Sequence, residues 1–239
     1  MKKELIQMNK SVMNAEMILD LPEIGKAEDH TAEHPMLLGY YDYTVILTYL
    51  GMLSAFMGIL ISVNGKFKTA LICLMFTGFC DMFDGAVAAT KTRTKSEKRF
   101  GIQIDSLSDL ISFGVLPGVF VYMFAGKTVF SGMIAAVYTL FALIRLSYFN
   151  VREEERQEQS DARRSEYLGV PVTTVALVLP ILYLLFSAGI IKNTALLPAM
   201  LMLLGICFIT TVKVKKPHTV GKIMMILLGI AEAVGVFFL

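Results

Sequence analysis

Between residues 43 and 64 the chain runs for 22 residues without one charged side chain. A helix needs about 20 mostly apolar residues to cross a bilayer, and backbone inside lipid must satisfy its own hydrogen bonds. The pattern recurs at 67–90, 101–126, 128–150, 170–191, 193–212 and 222–239. It predicts an all-α fold, a polytopic membrane helical bundle with a six-helix core and a seventh, C-terminal span. Composition agrees. The 239 residues are 55% apolar and 18% charged, with mean hydropathy +0.63, against about 45–50% and about 25% in soluble domains. That excludes a disordered chain, a coiled coil and a secreted disulfide scaffold. A net charge of +2 gives no reason to expect a nucleic-acid partner. Cys73, Cys80 and Cys207 stand in apolar surroundings without metal-ligand spacing, as small buried hydrophobes do.

Residues 1–40 differ from the rest. They carry charges without an unbroken apolar run, so no cleavable signal peptide is expected. Leu5, Met8, Val12, Met13, Met17 and Ile18 recur near helical spacing. This marks a cytoplasmic amphipathic segment or a polar tail, ahead of a transmembrane domain at 41–239. Loops after the second, fourth and sixth spans hold thirteen Lys and Arg, and the opposite loops four. Basic residues favour the cytoplasmic side, which puts the N-terminus in the cytoplasm.

Four carboxylates lie inside the apolar spans: Asp81, Asp84, Asp105 and Asp109. Each costs at least about 2.5–3.5 kcal/mol on insertion scales. Spacings of three and four residues put each pair on one helix face. A short loop makes the two helices antiparallel neighbours, so all four acids can meet near the cytoplasmic surface. Hard divalent cations neutralise such a cluster, and Mg²⁺ held by carboxylates takes substrate phosphates as well. Two metals bridging a phosphate linkage stabilise attacking and leaving oxygens together. Gly85, directly after Asp84, leaves room for a ligand or a second helix.

Taken together, Asp81-x-x-Asp84-Gly85-x-x-Ala88 and Gly101-x-x-x-Asp105-x-x-x-Asp109 resemble the signature of the CDP-alcohol phosphotransferase family. The run from Gln103 to Val115, the segment Arg145-Leu146-Ser147-Tyr148-Phe149-Asn150 and the Gly169-Val170-Pro171 turn are similar to the family's serine-using subgroup. Leu47 and Thr48 match the end of a first-span motif. The family's arginine after the alanine is replaced by Ala89, and the gap to Gly101 is longer.

The resemblance implies an integral enzyme of the bacterial cytoplasmic membrane, its active site facing the cytoplasm. It would transfer a phosphatidyl group from CDP-diacylglycerol to L-serine and release CMP. Asp81, Asp84, Asp105 and Asp109 would hold a divalent cation, Mg²⁺ or Mn²⁺ and two in number. Asp109 would also accept the serine proton. Gly85, Ala88, Gly101, Thr48 and Arg93 would bind the nucleotide lipid, Arg93 standing in for the missing arginine. Arg145 and Asn150 would bind the acceptor. The family also implies a homodimer among membrane lipids. Three rivals stand beside this reading: a relative using glycerol 3-phosphate or inositol phosphate, a cation transporter lined by the aspartates, and a catalytically weakened homologue, given Ala89. Glu232 matches no motif and reads as a packing or oligomer contact.

Overall fold

The computed structural model describes residues 38–159, 166–211, 213–215 and 219–238; the expected N-terminal amphipathic segment lies outside them. Residues 40–239 form one compact unit. Its helices are α1 (Tyr43–Val63), α2 (Phe67–Ala88), α3 (Lys95–Phe124), α4 (Val129–Gln159), α5 (Val175–Ser187), α6 (Leu196–Ile209) and α7 (Thr219–Phe238). Two three-residue strands, β1 (Glu166–Leu168) and β2 (Lys213–Lys215), pair antiparallel with Tyr167 opposite Val214. The fold is the expected all-α polytopic bundle, with this small ladder added.

Helix length departs from expectation. Among the described residues four helices, α1 to α4, are long and apolar enough to cross a membrane. The apolar stretches Val172–Ser187, Leu196–Ile209 and Met224–Phe238 are shorter. The 14 residues of α6 rise about 21 Å, against about 30 Å of hydrocarbon. Local chemistry sets these limits. Gly169 has φ +74° and Pro171 comes two residues later, so the chain turns and enters α5 through a 3₁₀ turn at Val172–Thr174. Val212 to Lys215 alternates apolar and basic residues, a strand period rather than a helical one. In contrast, α3 begins at Lys95, earlier than the apolar pattern suggests. Thr94 and Glu97 form a reciprocal capping box there. Helix α4 continues past Asn150 to Gln159 as a polar extension.

The α1–α2 pair forms one side of the acidic cluster. Ile46, Leu50, Leu53, Met57 and Leu60 of α1 are 44–59% exposed and present an apolar stripe to lipid. The opposite stripe, Gly51, Ala55, Gly58 and Ser62, is small and buried. A Cβ on Gly51 would lie 3.3 Å from Cys80 Cβ, and one on Gly58 would lie 3.0 Å from Cys73 Cβ. This close approach lets Thr77 Oγ1 on α2 donate to the Gly51 carbonyl at 3.0 Å. At the other end of the bundle, Phe67, Phe120, Phe124, Tyr183 and Phe186 pack edge-on and stacked, with ring centroids 5.0–6.3 Å apart. The three cysteines are free, and Cys80 is buried.

Partway along α3 the helix widens into a π turn at Leu110–Val115, directly after Asp109. Pro117 has no N–H, so the Phe113 carbonyl lacks its usual donor four residues on. Helix α4 supplies a replacement: Tyr138 Oη donates to that carbonyl at 2.6 Å. Thr139 Oγ1 donates to the next one, Gly114, at 3.3 Å.

Candidate active site

Helices α1, α2 and α3 meet around a small polar cavity. Leu47, Thr48 and Gly51 line it from α1, Thr77, Cys80, Asp81 and Asp84 from α2, and Asp105, Ser108 and Asp109 from α3. Helical spacing accounts for the acids. Asp81 and Asp84 share a face of α2 above the Thr77 anchor, and Asp105 and Asp109 share a face of α3. Asp81, Asp84 and Asp105 each offer a carboxylate oxygen within 4.8 Å of the other two. Asp109 lines the same cavity outside that triad. Thr48 Oγ1 donates to Asp84 Oδ2 at 3.4 Å, and Ser108 Oγ donates to the Thr48 carbonyl at 3.4 Å.

An all-carboxylate donor set suits a hard divalent cation. No lysine or arginine lines the cavity. The three converging acids therefore have no cationic side chain in the cavity wall, and a bound cation is the neutraliser that fits them.

The cavity rim is braced by charge. Asp42 caps α1, accepting from the backbone N–H of Thr44 at 2.9 Å and from the Thr44 hydroxyl. Lys91 reaches Asp42 at 2.5 Å and Glu97 at 3.0 Å. The loop between α2 and α3 is thereby tied to both α1 and α3. Tyr43 Oη and Thr90 Oγ1 add a contact at 3.1 Å. The Lys91 ammonium foremost, and then Thr44, hold the Asp42 carboxyl down at about 2.

The remaining expected site residues, Gly85, Ala88, Arg93, Gly101, Arg145 and Asn150, do not line the cavity. A Cβ on Gly85 would meet nothing within 4 Å, so helix packing does not account for the glycine. Arg93 folds back until its Nη1 lies 3.0 Å from where a Cβ on Gly101 would stand. Ala88 is half-buried near the end of α2. Arg145 is buried, donates to the Phe208 carbonyl at 3.1 Å and lies 4.6 Å from the centre of the Phe149 ring. A Cβ on Gly169 would come within 2.8 Å of its Nη1. Asn150 pairs with Ser106 and Gln103 on α3.

Sequence reasoning missed Ser108, Thr77 and Gly51 in the wall. Ser108 lies one turn from Asp105, and Gly51 opens the small stripe of α1, so each had a spacing signal. Glu232 is 4% exposed within the single chain, as a packing contact would be. It shares a face of α7 with Gly229 and Gly235, which look onto Leu177 and Leu184 of α5.

Residues 43–212 match the CDP-alcohol phosphatidyltransferase family. Among curated relatives, the CDP-diacylglycerol–serine O-phosphatidyltransferase of Saccharomyces cerevisiae is 33% identical over 165 residues, 61% of this chain and 56% of that protein. The Bacillus subtilis protein of the same name is 31% identical over 153 residues, 62% of this chain and 74% of its own. The archaetidylserine synthase of Methanothermobacter thermautotrophicus is 31% identical over 140 residues, 58% of this chain and 56% of its own. The chain thus spans a little over half the length of the first and third of these relatives. With a match covering all the cavity-lining helices, the chain belongs to the CDP-alcohol phosphatidyltransferase family.

Proposed function

We propose that the chain transfers the phosphatidyl group of CDP-diacylglycerol to the hydroxyl of L-serine, with release of CMP. The observation that carries this reading is the convergence of Asp81, Asp84 and Asp105 within 4.8 Å of one another, in a cavity that Asp109 also lines. The serine acceptor rests on the names of the relatives and on the matching 103–115 and 145–150 segments.

In this reading Asp81, Asp84 and Asp105 hold divalent cations, Mg²⁺ or Mn²⁺ and two in number, with Asp109 at the second. Ions held by these aspartates would supply positive charge against the diphosphate and its leaving group. Thr48 steadies Asp84 through its hydroxyl. The open space at Gly85, with Ala88 and Gly101, admits the nucleotide. Arg93, lying against Gly101, supplies the positive charge that Ala89 lacks. The serine oxygen bonds to the lipid-side phosphorus, the bond from that phosphorus to the CMP oxygen breaks, and CMP leaves with the electron pair. Asp109 takes the hydroxyl proton. A zwitterionic acceptor needs a cation for its carboxylate. Arg145, the only buried lysine or arginine among the described residues, would have to leave the Phe208 carbonyl outside the cavity to serve it. The excess of lysine and arginine in one set of loops supports an active site and N-terminus on the cytoplasmic side, in a bacterial membrane by this reading. By resemblance alone, the working assembly is a homodimer.

An acceptor panel tests the reading. Purified chain in CDP-diacylglycerol micelles should release CMP with L-serine, and not with glycerol 3-phosphate or inositol phosphate. Turnover with a phosphorylated acceptor alone would refute the serine assignment and leave the metal site standing.

A further inference from the structure

Helix α3 has two polar faces. Asp105, Ser108 and Asp109 look into the cavity. Gln103 and Ser106 look the other way, onto α4. There Ser106 Oγ donates to Asn150 Oδ1 at 2.5 Å, and Asn150 Nδ2 donates to Gln103 Oε1 at 3.3 Å. Gln103 Nε2 in turn donates to Glu154 Oε1 at 3.1 Å. Four side chains thus form an unbroken chain, and Asn150 spends both ends of its amide in it.

The helix geometry links this chain to the acids. Ser106 lies about 100° around the helix from Asp105. Any rotation of α3 that broke its bond to Asn150 would swing Asp105 and Asp109 by the same angle. Beyond Asp109, α4 grips α3 a second time through Tyr138 and Thr139. The π turn lies in that second grip, so the helix changes register between the two. On the segment bearing Asp105 the contacts are different ones: Ser108 donates to the Thr48 carbonyl on the α1 side, and Asn150 holds Ser106 and Gln103 on the α4 side.

We propose that Asn150 is a positioning residue: through Ser106 and Gln103 it fixes the rotation of α3 and so aims Asp105 and Asp109 at a bound divalent cation. This rests on the proposed metal site, and replaces the expectation that Asn150 meets serine. It acts as outer-shell partners do, at one remove from the ligands.

The test uses the full chain in detergent, with Mn²⁺ as the probe and no substrate, free Mn²⁺ being read by electron paramagnetic resonance. Asn150→Ala and Ser106→Ala should each weaken Mn²⁺ binding about five- to tenfold. The double variant should be no worse than Asn150→Ala alone, because that change already removes the Ser106 bond. At saturating metal the KM for serine should stay at the wild-type value. Unchanged Mn²⁺ affinity with a raised serine KM would overturn the proposal and return Asn150 to the acceptor site. Additive losses in the double variant would also overturn it. If Asn150→Ala does not fold, Gln103→Ala takes its place, and wild-type Mn²⁺ affinity in that variant overturns the proposal. A wild-type chain that binds no Mn²⁺ would overturn the metal site itself. Wild-type binding retained in every variant would overturn only the role of Asn150.

Discussion

Gly85→Ala separates what the fold needs from what the chemistry needs. The glycine lies within α2, one position after Asp84, and a Cβ there would touch nothing within 4 Å. In a helix interior, alanine is favoured over glycine by about 0.5–1 kcal/mol. With no neighbour to displace, the variant should be as stable as the parent or slightly more so, with its thermal midpoint in detergent unchanged or raised. Activity should move the other way. A methyl group in the space through which the nucleotide approaches costs about 1–3 kcal/mol if the ligand fills it. That corresponds to a rise of about 5- to 150-fold in the KM for CDP-diacylglycerol. CMP release against lipid concentration, beside a thermal unfolding curve, reads both quantities on one preparation. An unchanged KM in a stabilised variant would refute the claim that substrate uses this space. A destabilised variant would show that a neighbouring element, not a ligand, needs the glycine.

The packing sets three further outcomes. Tyr138→Phe removes the 2.6 Å bond to the Phe113 carbonyl; leaving that buried acceptor unpaired should lower unfolding stability by about 1–2 kcal/mol, and Thr139→Val, whose bond is the longer one and whose hydroxyl also serves Ala135, should cost less. Asp42 has its folded pKa depressed, to about 2 from an ordinary 3.8, so its tie to Lys91 stabilises the fold above the unfolded value and is lost as pH falls toward 2; the stability gap between wild type and Asp42→Asn should be present at about pH 6 and shrink to nothing in that acid window. Glu232 is buried, and neither of its oxygens has a partner among the described residues, so Glu232→Met should raise unfolding stability by about 1–3 kcal/mol, and a loss instead would reveal a bound partner for the carboxylate.

Much of the site was legible because its physics is local. Acids in an apolar run are costly enough to demand a reason, and the three- and four-residue spacings fix which of them share a face. Thr48, placed by two matching positions, does reach Asp84. The resemblance located the Arg145 and Asn150 segments but not where those side chains point. Asn150 turns to α3 because Ser106 and Gln103 offer complementary groups at helical spacing. Arg145 turns to the end of α6, where the Phe208 carbonyl accepts its hydrogen bond and Gly169 leaves room. Neither preference can be read until the helices are paired. Helix ends split the same way. The Thr94–Glu97 box that starts α3 was present as a sequence pattern, masked by the apolar count. The early start of the turn before α5 depends on Gly169, whose φ only the folded chain reveals. The π turn had a single visible cue in Pro117, and it takes the Tyr138 hydroxyl, distant in sequence, to complete it.

The most direct test of the central claim is CMP release from CDP-diacylglycerol by the purified chain with L-serine, measured after chelation and again after Mg²⁺ or Mn²⁺ is restored. The account predicts no release in chelator, recovery with either ion, and no recovery in Asp84→Asn. Release that ignores divalent ions, or passage of those ions through liposomes without any CMP formed, would contradict it.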